Sequence, residues 1–159
     1  MIFLDASAVV KAYVPEPGSP VIRGAIARLR GKLYLTRAVA LEVLGAFAKK
    51  RRKDELTREE YKVAREAFLT ELQAEFEVLE LAEADFAAAF RMLDVYHHSG
   101  VSPLDVLHLA CALHLRAESA ASVTVASSDG ALLAVARAAG LATFDPETEH
   151  ISALLAPAR

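Results

Sequence analysis

Four carboxylates lie in sequence surroundings where an acid is unusual. An apolar run of four residues opens the chain and leads into Asp5. Glu42 stands among apolar residues in "AVALEVLGA", Asp105 lies near the start of the largely apolar "SPLDVLHLACAL", and Asp129 comes three residues after "SVTVA". Because Asp and Glu are rarely buried unless they are paired or bind a cation, this set points to a shared cation.

The chemistry of such a set follows from its charge. Two carboxylates about 5 Å apart repel each other by roughly 3 kcal/mol at an effective dielectric constant of about 20. Four of them together must take up protons or recruit a cation. An all-oxygen ligand set favours Mg²⁺ or Mn²⁺ over Zn²⁺. Sites of this kind activate water and hold a phosphate during phosphodiester hydrolysis.

Each acid also has a structural explanation that the sequence leaves open. Asp5 could cap the first helix, and so could Ser7. Asp105 stands at the capping-box spacing from a serine, and Asp129 could cap the helix that follows it or complement its dipole. Glu42 lies in the middle of a helical pattern and has no capping role, so it is the hardest of the four to explain structurally.

The elements that must position these acids alternate between short apolar strands and helices. Five strands are predicted, at 2–5, 32–36, 76–81, 122–126 and 141–144. Seven helices are predicted, at 7–14, 20–30, 37–53, 56–76, 82–98, 102–119 and 129–140, with 152–159 as a short helix or a tail. Strands that are apolar on both faces are typical of a parallel sheet between helical layers, so we predict a three-layer α/β domain.

The order of these elements also predicts where a site forms. In open α/β sheets, sites lie beyond the carboxyl ends of the strands. Asp5 ends the first predicted strand and Asp129 follows the fourth. We therefore expect both acids at the same edge of the sheet.

Composition limits the classes of function. The 159 residues carry a net charge of −3, so no overall basic field indicates a nucleic-acid partner, although a local patch could serve. Cys111 is the single cysteine and cannot form an internal disulfide, which fits a reducing cytoplasm. No apolar run approaches the roughly 20 residues that span a membrane, and the N-terminus does not resemble a signal peptide. We therefore expect one cytoplasmic domain with no membrane contact.

Four segments together resemble a known family. They are "MIFLDASAVVKAYVPEPGS", "LTRAVALEVLGAF", "SPLDVLHLACAL" and "VTVASSDGALLAVARAAGL", and they contain the four acids in the family's order. Over nearly its whole length the chain resembles the PIN-domain ribonucleases, with the closest likeness to the VapC-type toxins of bacterial and archaeal toxin–antitoxin pairs. The family often has Thr-x-Asp at the last acid, whereas this chain has Ser127-Ser128-Asp129.

The resemblance implies a single PIN-like nuclease domain over residues 1–159, with a central parallel sheet of about five strands flanked by helices. One or two Mg²⁺ or Mn²⁺ ions would be held by Asp5, Asp105 and Asp129. Glu42 would complete the acidic quartet, either binding through water or orienting the nucleophile as a base. Ser7 and Ser127 would support the site.

The implied activity is endonucleolytic cleavage of RNA, which leaves 5′-phosphate and 3′-hydroxyl ends. The implied partners are the RNA substrate, a cognate antitoxin that covers or disturbs the acidic pocket, and a second copy of the chain in a homodimer. Two alternatives stay open: a PIN-domain nuclease of RNA processing without an antitoxin, and a catalytically silent PIN-like binding module. A haloacid-dehalogenase-like phosphatase is disfavoured, because Ser7 stands where that class needs a second aspartate.

Basic residues near the acids are candidates for RNA contacts. The run "KKRRK" at 49–53 ends the third helix, where it is either a solvated helix end or a phosphate-binding patch. The candidate RNA contacts are Lys11, Arg37, Lys49, Lys50 and Arg51. His108 lies one turn after Asp105 and either packs in the helix or approaches the site. Asp145 either forms a turn before Pro146 or acts as a fifth acid.

Overall fold

A parallel five-stranded sheet forms the centre of the molecule, as predicted. The structure is a computed structural model and describes residues 1–155. The strands are β1 (Ile2–Leu4), β2 (Leu33–Thr36), β3 (Glu77–Leu79), β4 (Thr124–Ala126) and β5 (Ala142–Phe144). Their order is β3-β2-β1-β4-β5, and each neighbouring pair is parallel.

Eight helices flank the sheet within residues 1–155. They are α1 (Ala6–Tyr13), α2 (Ser19–Arg28), α3 (Arg37–Arg52), α4 (Arg58–Glu71), α5 (Glu83–Tyr96), α6 (Pro103–Ser119), α7 (Gly130–Ala138) and α8 (Ser152–Leu155). The last predicted segment is thus a short helix as far as Leu155, and 156–159 lie outside the described residues. In that described part, no helix has both the length and the apolar character to cross a membrane.

The strand residues alternate between two apolar cores. Ile2 and Leu4 pack with α1 to α4 in one core, whereas Phe3 and Val125 pack with α6 and α7 in the other. The helical layers therefore cover both faces of the sheet. This two-sided burial explains why the strands read as continuous apolar runs rather than as alternating ones.

The chain reverses its direction across the sheet between β1 and β4. From β1 it runs outward through β2 to β3, and it then returns past β1 to β4 and β5. β1 and β4 are thus paired neighbours whose following connections lead in opposite directions. A crevice forms at such a topological switch point, beyond the carboxyl ends of the strands, and ligand sites of open α/β sheets lie there.

Two predicted boundaries are wrong for identifiable reasons. Asp5 is outside the strand and is the N-cap of α1, because its side chain accepts a hydrogen bond from the Ser7 backbone amide. α4 ends at Glu71 rather than at 76, because the chain forms a turn there, in which the Ala74 amide donates to the Glu71 carbonyl at 3.0 Å. That turn lets Phe76 enter the core just before β3. The other predicted ends shift by at most two residues.

The segment after β5 folds back over α2. Gly18 has a φ of +85°, and a Cβ at this position would lie 2.6 Å from the carbonyl oxygen of Pro146. Glycine is therefore required at position 18 for both its backbone conformation and this close approach. Further along, Ile151 packs against the core that contains α2.

Candidate active site

Asp5 lies directly after β1, at the switch point, and only 6 % of it is exposed. Its backbone amide donates to the Ala126 carbonyl at 3.0 Å, so the loops after β1 and β4 start side by side. Three hydrogen bonds converge on its Oδ2, from the Ser7 amide at 3.1 Å, the Ser7 hydroxyl at 2.6 Å and the Ser127 hydroxyl at 3.0 Å. One oxygen of this carboxylate is thus fixed and fully committed.

The two serines that the sequence proposed as supports belong to one network. The Ser7 and Ser127 hydroxyl oxygens lie 3.1 Å apart. The Ser128 amide donates to Ser7 Oγ at 2.9 Å, and the Asp129 amide donates to Ser127 Oγ at 3.0 Å. The network joins the loop after β1 to the loop that begins α7, and it fixes the backbone of Asp129 relative to Asp5.

Asp105 and Asp129 both perform the capping roles that the sequence left open. Asp129 is the N-cap of α7, and its Oδ1 accepts from the amides of Ala131 at 2.8 Å and Leu132 at 3.1 Å. Asp105 forms a capping box with Ser102, in which its Oδ2 accepts from the Ser102 amide at 2.8 Å. Capping uses only one oxygen of each carboxylate, so the other oxygen has no hydrogen-bond partner within residues 1–155.

Glu42 is held by His108, for which the sequence left open either packing in the helix or an approach to the site. Its Oε2 lies 2.7 Å from Nε2 of His108, which is buried, whereas 31 % of the Glu42 side chain is exposed. Nδ1 of His108 lies 3.3 Å from Oγ1 of Thr36, the N-cap of α3. The spacing of His108 from Asp105 was the only sequence signal for this contact, because Glu42 is 66 positions away.

The four candidate acids share one property. Each has one oxygen in hydrogen bonds, and the other oxygen has no hydrogen-bond partner within residues 1–155. None of these second oxygens is sealed inside the protein, because Ser128 Oγ is the one enclosed side-chain atom without a partner in that range. Each of the four carboxylates thus has one oxygen that is available to a ligand.

Asp145 differs from these four acids. Its Oδ1 accepts from the Glu147 amide at 2.9 Å and its Oδ2 accepts from the Thr148 hydroxyl at 3.1 Å. Both oxygens are committed to the turn around Pro146, so the turn explanation of this residue is confirmed.

A family model accounts for the same chain. The model of the PIN domain matches residues 2–154. The chain belongs to the PIN domain family. PIN domains are nucleases, and the four half-committed acids of this PIN domain are its candidate nuclease residues.

Solved structures share the PIN fold of this chain. FitAB bound to an IR36 DNA fragment has a TM-score of 0.70 at 20% identity, over 94% of this chain and 98% of that chain. VapC20 of Mycobacterium tuberculosis, a sarcin–ricin loop cleaving toxin, has a TM-score of 0.62 at 15% identity, over 89% and 96%. VapBC-1 from nontypeable Haemophilus influenzae has a TM-score of 0.61 at 14% identity, over 92% and 98%. No curated protein matches the sequence.

The donor types of this PIN domain suit a hard divalent cation. All four candidate groups are carboxylates with an uncommitted oxygen, which is the ligand type that Mg²⁺ and Mn²⁺ prefer. Across residues 1–155, however, no three His, Cys, Asp or Glu side chains stand close enough together to hold a metal ion. The structure joins the loops of Asp5 and Asp129 through serines and joins Glu42 to α6. Convergence of all four acids stays a prediction.

The candidate RNA contacts divide into buried and exposed cations. Lys11 is 3 % exposed, and its ammonium contacts Glu16 at 3.2 Å and Glu147 at 2.6 Å, which argues against a phosphate contact. Lys50 also contacts Glu16, at 2.5 Å, and this hydrogen bond is the main cause of its raised pKa. The cations that stay at the surface are Arg37 beside Glu80, Arg51 beside Asp54, and Lys49.

Proposed function

We propose that this PIN domain is a metal-dependent endoribonuclease that hydrolyses RNA phosphodiester bonds as the toxin of a toxin–antitoxin pair. The observation that carries the proposal is that Asp5, Glu42, Asp105 and Asp129 each keep one oxygen free of hydrogen bonds within residues 1–155. Asp145, by contrast, commits both of its oxygens to its turn. Free carboxylate oxygens are the donors that a cation needs when it neutralises a phosphate.

The proposed roles follow from how each acid is held. A divalent cation, Mg²⁺ or Mn²⁺, would be bound by Asp5, Asp105 and Asp129. When bound, it supplies a water of lowered pKa and offsets charge on the phosphate. Ser7 and Ser127 keep Asp5 in place through its Oδ2. Glu42 orients the attacking water or accepts its proton. The water oxygen bonds to phosphorus as the bond to the 3′ oxygen breaks, and that oxygen takes a proton from solvent water and leaves as a hydroxyl.

RNA would meet exposed cations on α3. Lys49 lies seven residues after Glu42, so both side chains are on the same face of the helix. No ion pair engages Lys49 within residues 1–155, whereas the surface pairs of Arg37 and Arg51 are weak enough to exchange for phosphates. We assign these three residues to backbone contacts that carry no sequence preference.

The proposed antitoxin would lie over the groove between α2 and α4. This groove has a volume of about 620 Å³ and is lined by apolar Ile26 and Val63 and by charged Arg23 and Glu71. An apolar floor with charges of both signs at its rim fits an amphipathic segment of a partner. We also propose that the protein is cytoplasmic, which agrees with the buried free thiol of Cys111. We propose a homodimer as well, because apolar side chains such as Phe90 on α5 are exposed.

The purified protein tests the nuclease directly. With Mg²⁺ or Mn²⁺ we expect cleavage of RNA to products with 5′-phosphate ends, and chelation of the metal should abolish it. Asp5→Asn should remove detectable cleavage without unfolding the protein, because the asparagine oxygen can still accept the bonds made to Oδ2. Asp145→Asn is the matched control and should retain cleavage. Full activity of Asp5→Asn would exclude the site, and an inactive wild-type protein that still binds RNA would indicate a silent binding module.

Expression in cells tests the toxin role separately. The wild-type chain expressed alone should arrest growth, and co-expression of a small gene adjacent to its own should relieve the arrest. Asp5→Asn should not arrest growth. An active nuclease that leaves growth unaffected would instead be an RNA-processing enzyme without an antitoxin.

A further inference from the structure

The four candidate acids are fixed by two different means. Asp5, Asp105 and Asp129 lie at helix starts, where free backbone amides hold one of their oxygens. Glu42 lies inside α3, where the helix uses the backbone amides itself. Only another side chain can therefore hold Glu42. His108 is the single group that does so within residues 1–155.

His108 is itself placed by the end of β2. It is buried on α6, with Nδ1 3.3 Å from Oγ1 of Thr36 and Nε2 2.7 Å from Oε2 of Glu42. Thr36 Oγ1 also accepts from the Val39 amide at 3.1 Å and so caps α3. One threonine thus fixes both the helix that carries Glu42 and the imidazole that holds its side chain.

The direction of these hydrogen bonds selects one tautomer. The Thr36 hydroxyl accepts from Val39, and its own hydrogen is free to be donated to Nδ1 of His108. With Nδ1 as acceptor, a neutral imidazole carries its hydrogen on Nε2. That hydrogen points to Glu42, and a carboxylate can only accept. The chain from hydroxyl to imidazole to carboxylate is satisfied at every step.

We propose that His108 is a positioning residue of the nuclease: its Nε2–H holds Oε2 of Glu42 so that Oε1 stays available for the attacking water. The inference rests on the proposed function, because it assigns Glu42 that role. Glutamate has one more side-chain torsion than aspartate, so a half-exposed Glu42 would sample several rotamers without this contact. A reacting group must be held within a fraction of an ångström to act efficiently.

Two polar amide substitutions of different length test whether activity depends on the hydrogen bond from His108 to Glu42. Gln at 108 can place its amide nitrogen near the position of Nε2, whereas Asn is too short and can reach only Thr36. We expect His108→Asn to lower kcat by about tenfold to a hundredfold, with KM changed by less than about threefold. His108→Gln should recover most of that loss. Equal losses in both variants, or none in either, would overturn the proposal, provided that thermal denaturation shows both to be folded.

A double-mutant cycle tests whether His108 acts through Glu42. In the Glu42→Gln background, His108→Asn should cost less than about threefold further, because the carboxylate that it positions is gone. An undiminished loss in that background would show that His108 acts elsewhere.

The tautomer gives a readout that needs no activity. In metal-free protein labelled with ¹⁵N-histidine, long-range ¹H–¹⁵N spectra should show His108 protonated on Nε2 and unprotonated on Nδ1. A proton on Nδ1 alone would overturn the assignment. If the wild type cuts no RNA while this tautomer is present, the proposed function fails and the positioning role fails with it, although the hydrogen-bond assignment of His108 stands. If RNA is cut equally well by His108→Asn, only the positioning role fails.

Discussion

Helix α6 carries two histidines that each contact a carboxylate, and the two pairs are built in opposite ways. His108 is 1 % exposed, while its partner Glu42 on α3 is 31 % exposed. His114 is 37 % exposed, while its partner Asp85 on α5 is 2 % exposed. The distances are almost equal, at 2.7 Å and 2.9 Å. The difference therefore lies in which member of the pair faces solvent.

The two pairs also differ in whether the carboxylate still has an oxygen that a ligand can use. Asp85 uses both oxygens, because Oδ1 contacts His114 and Oδ2 accepts from the Ala82 amide at 2.7 Å. It ties the start of α5 to α6 and has no acceptor left for a ligand. Glu42 uses one oxygen only. Of the two histidine-bound acids, Glu42 is therefore the one that can still accept a hydrogen bond from a ligand or bind a cation.

The largest expected effect is on the exposed acid. Glu42→Gln should lower the rate of RNA cleavage by about a hundredfold, equivalent to about 2.7 kcal/mol, because an amide cannot accept the proton of the attacking water. The free energy of unfolding should change by less than about 0.5 kcal/mol, since the side chain is half-exposed. Kinetics and urea denaturation on the same preparation measure both quantities. A large loss of stability in this variant would remove the distinction between the two pairs.

The next effect is on the buried acid and has the opposite character. Asp85→Ala should lower the free energy of unfolding by about 2–3 kcal/mol, because it leaves the Ala82 amide without its cap and removes a buried hydrogen bond. Cleavage below the unfolding transition should stay within about threefold of the wild type. The free energy of unfolding of Asp85→Asn should lie between those of the wild type and Asp85→Ala. Reduced cleavage by a fully folded Asp85→Asn would contradict a purely structural role.

The smallest effect is on the pH dependence of stability. The hydrogen bond to Asp85 raises the pKa of His114 above its usual 6.5. A histidine with a raised pKa in the folded state contributes stability below its unfolded pKa, and this is lost as the pH rises through the folded pKa. Because His114 is well exposed, the contribution should be under about 1 kcal/mol.

The matched variant for this effect is His114→Gln. The difference in unfolding free energy between wild type and variant should shrink as the pH is raised from about 5.5 to about 8.5. A difference that is the same at both pH values would show that the contacts of His114 with Asp85 and Glu118 have no charge-dependent part.

Local patterns predicted most of the fold. Apolar runs located the five strands, and the Thr57 and Glu60 capping box located the start of α4. The end of α4 was not predictable, because the residues after Glu71 continue a helical pattern. The chain leaves the helix there, and Phe76 is buried in the core just before β3. This packing depends on residues distant in sequence, so the residues around Glu71 do not predict it.

Within the site, sequence predicted the acids but not how they are held. The caps at Asp105 and Asp129 are local, so the spacing of the residues offered capping as one of two explanations for each acid. Lys11 was predicted to contact RNA, yet it is buried against Glu147, which lies 136 positions away. His108 and Glu42 are 66 positions apart. Contacts of this kind depend on how helices pack, and no motif records them.

The bond between Ser127 and Asp5 also determines when the site can exist during synthesis. These residues are 122 positions apart, and β4 pairs beside β1 only after the intervening chain has been made. Contacts of such long range form late, after the loop between them has closed. A nascent chain that has not yet exposed Ser127 lacks the bonds that fix Asp5. The set of three hydrogen bonds on Oδ2 of Asp5 is therefore complete only after the chain as far as Ser127 has been made.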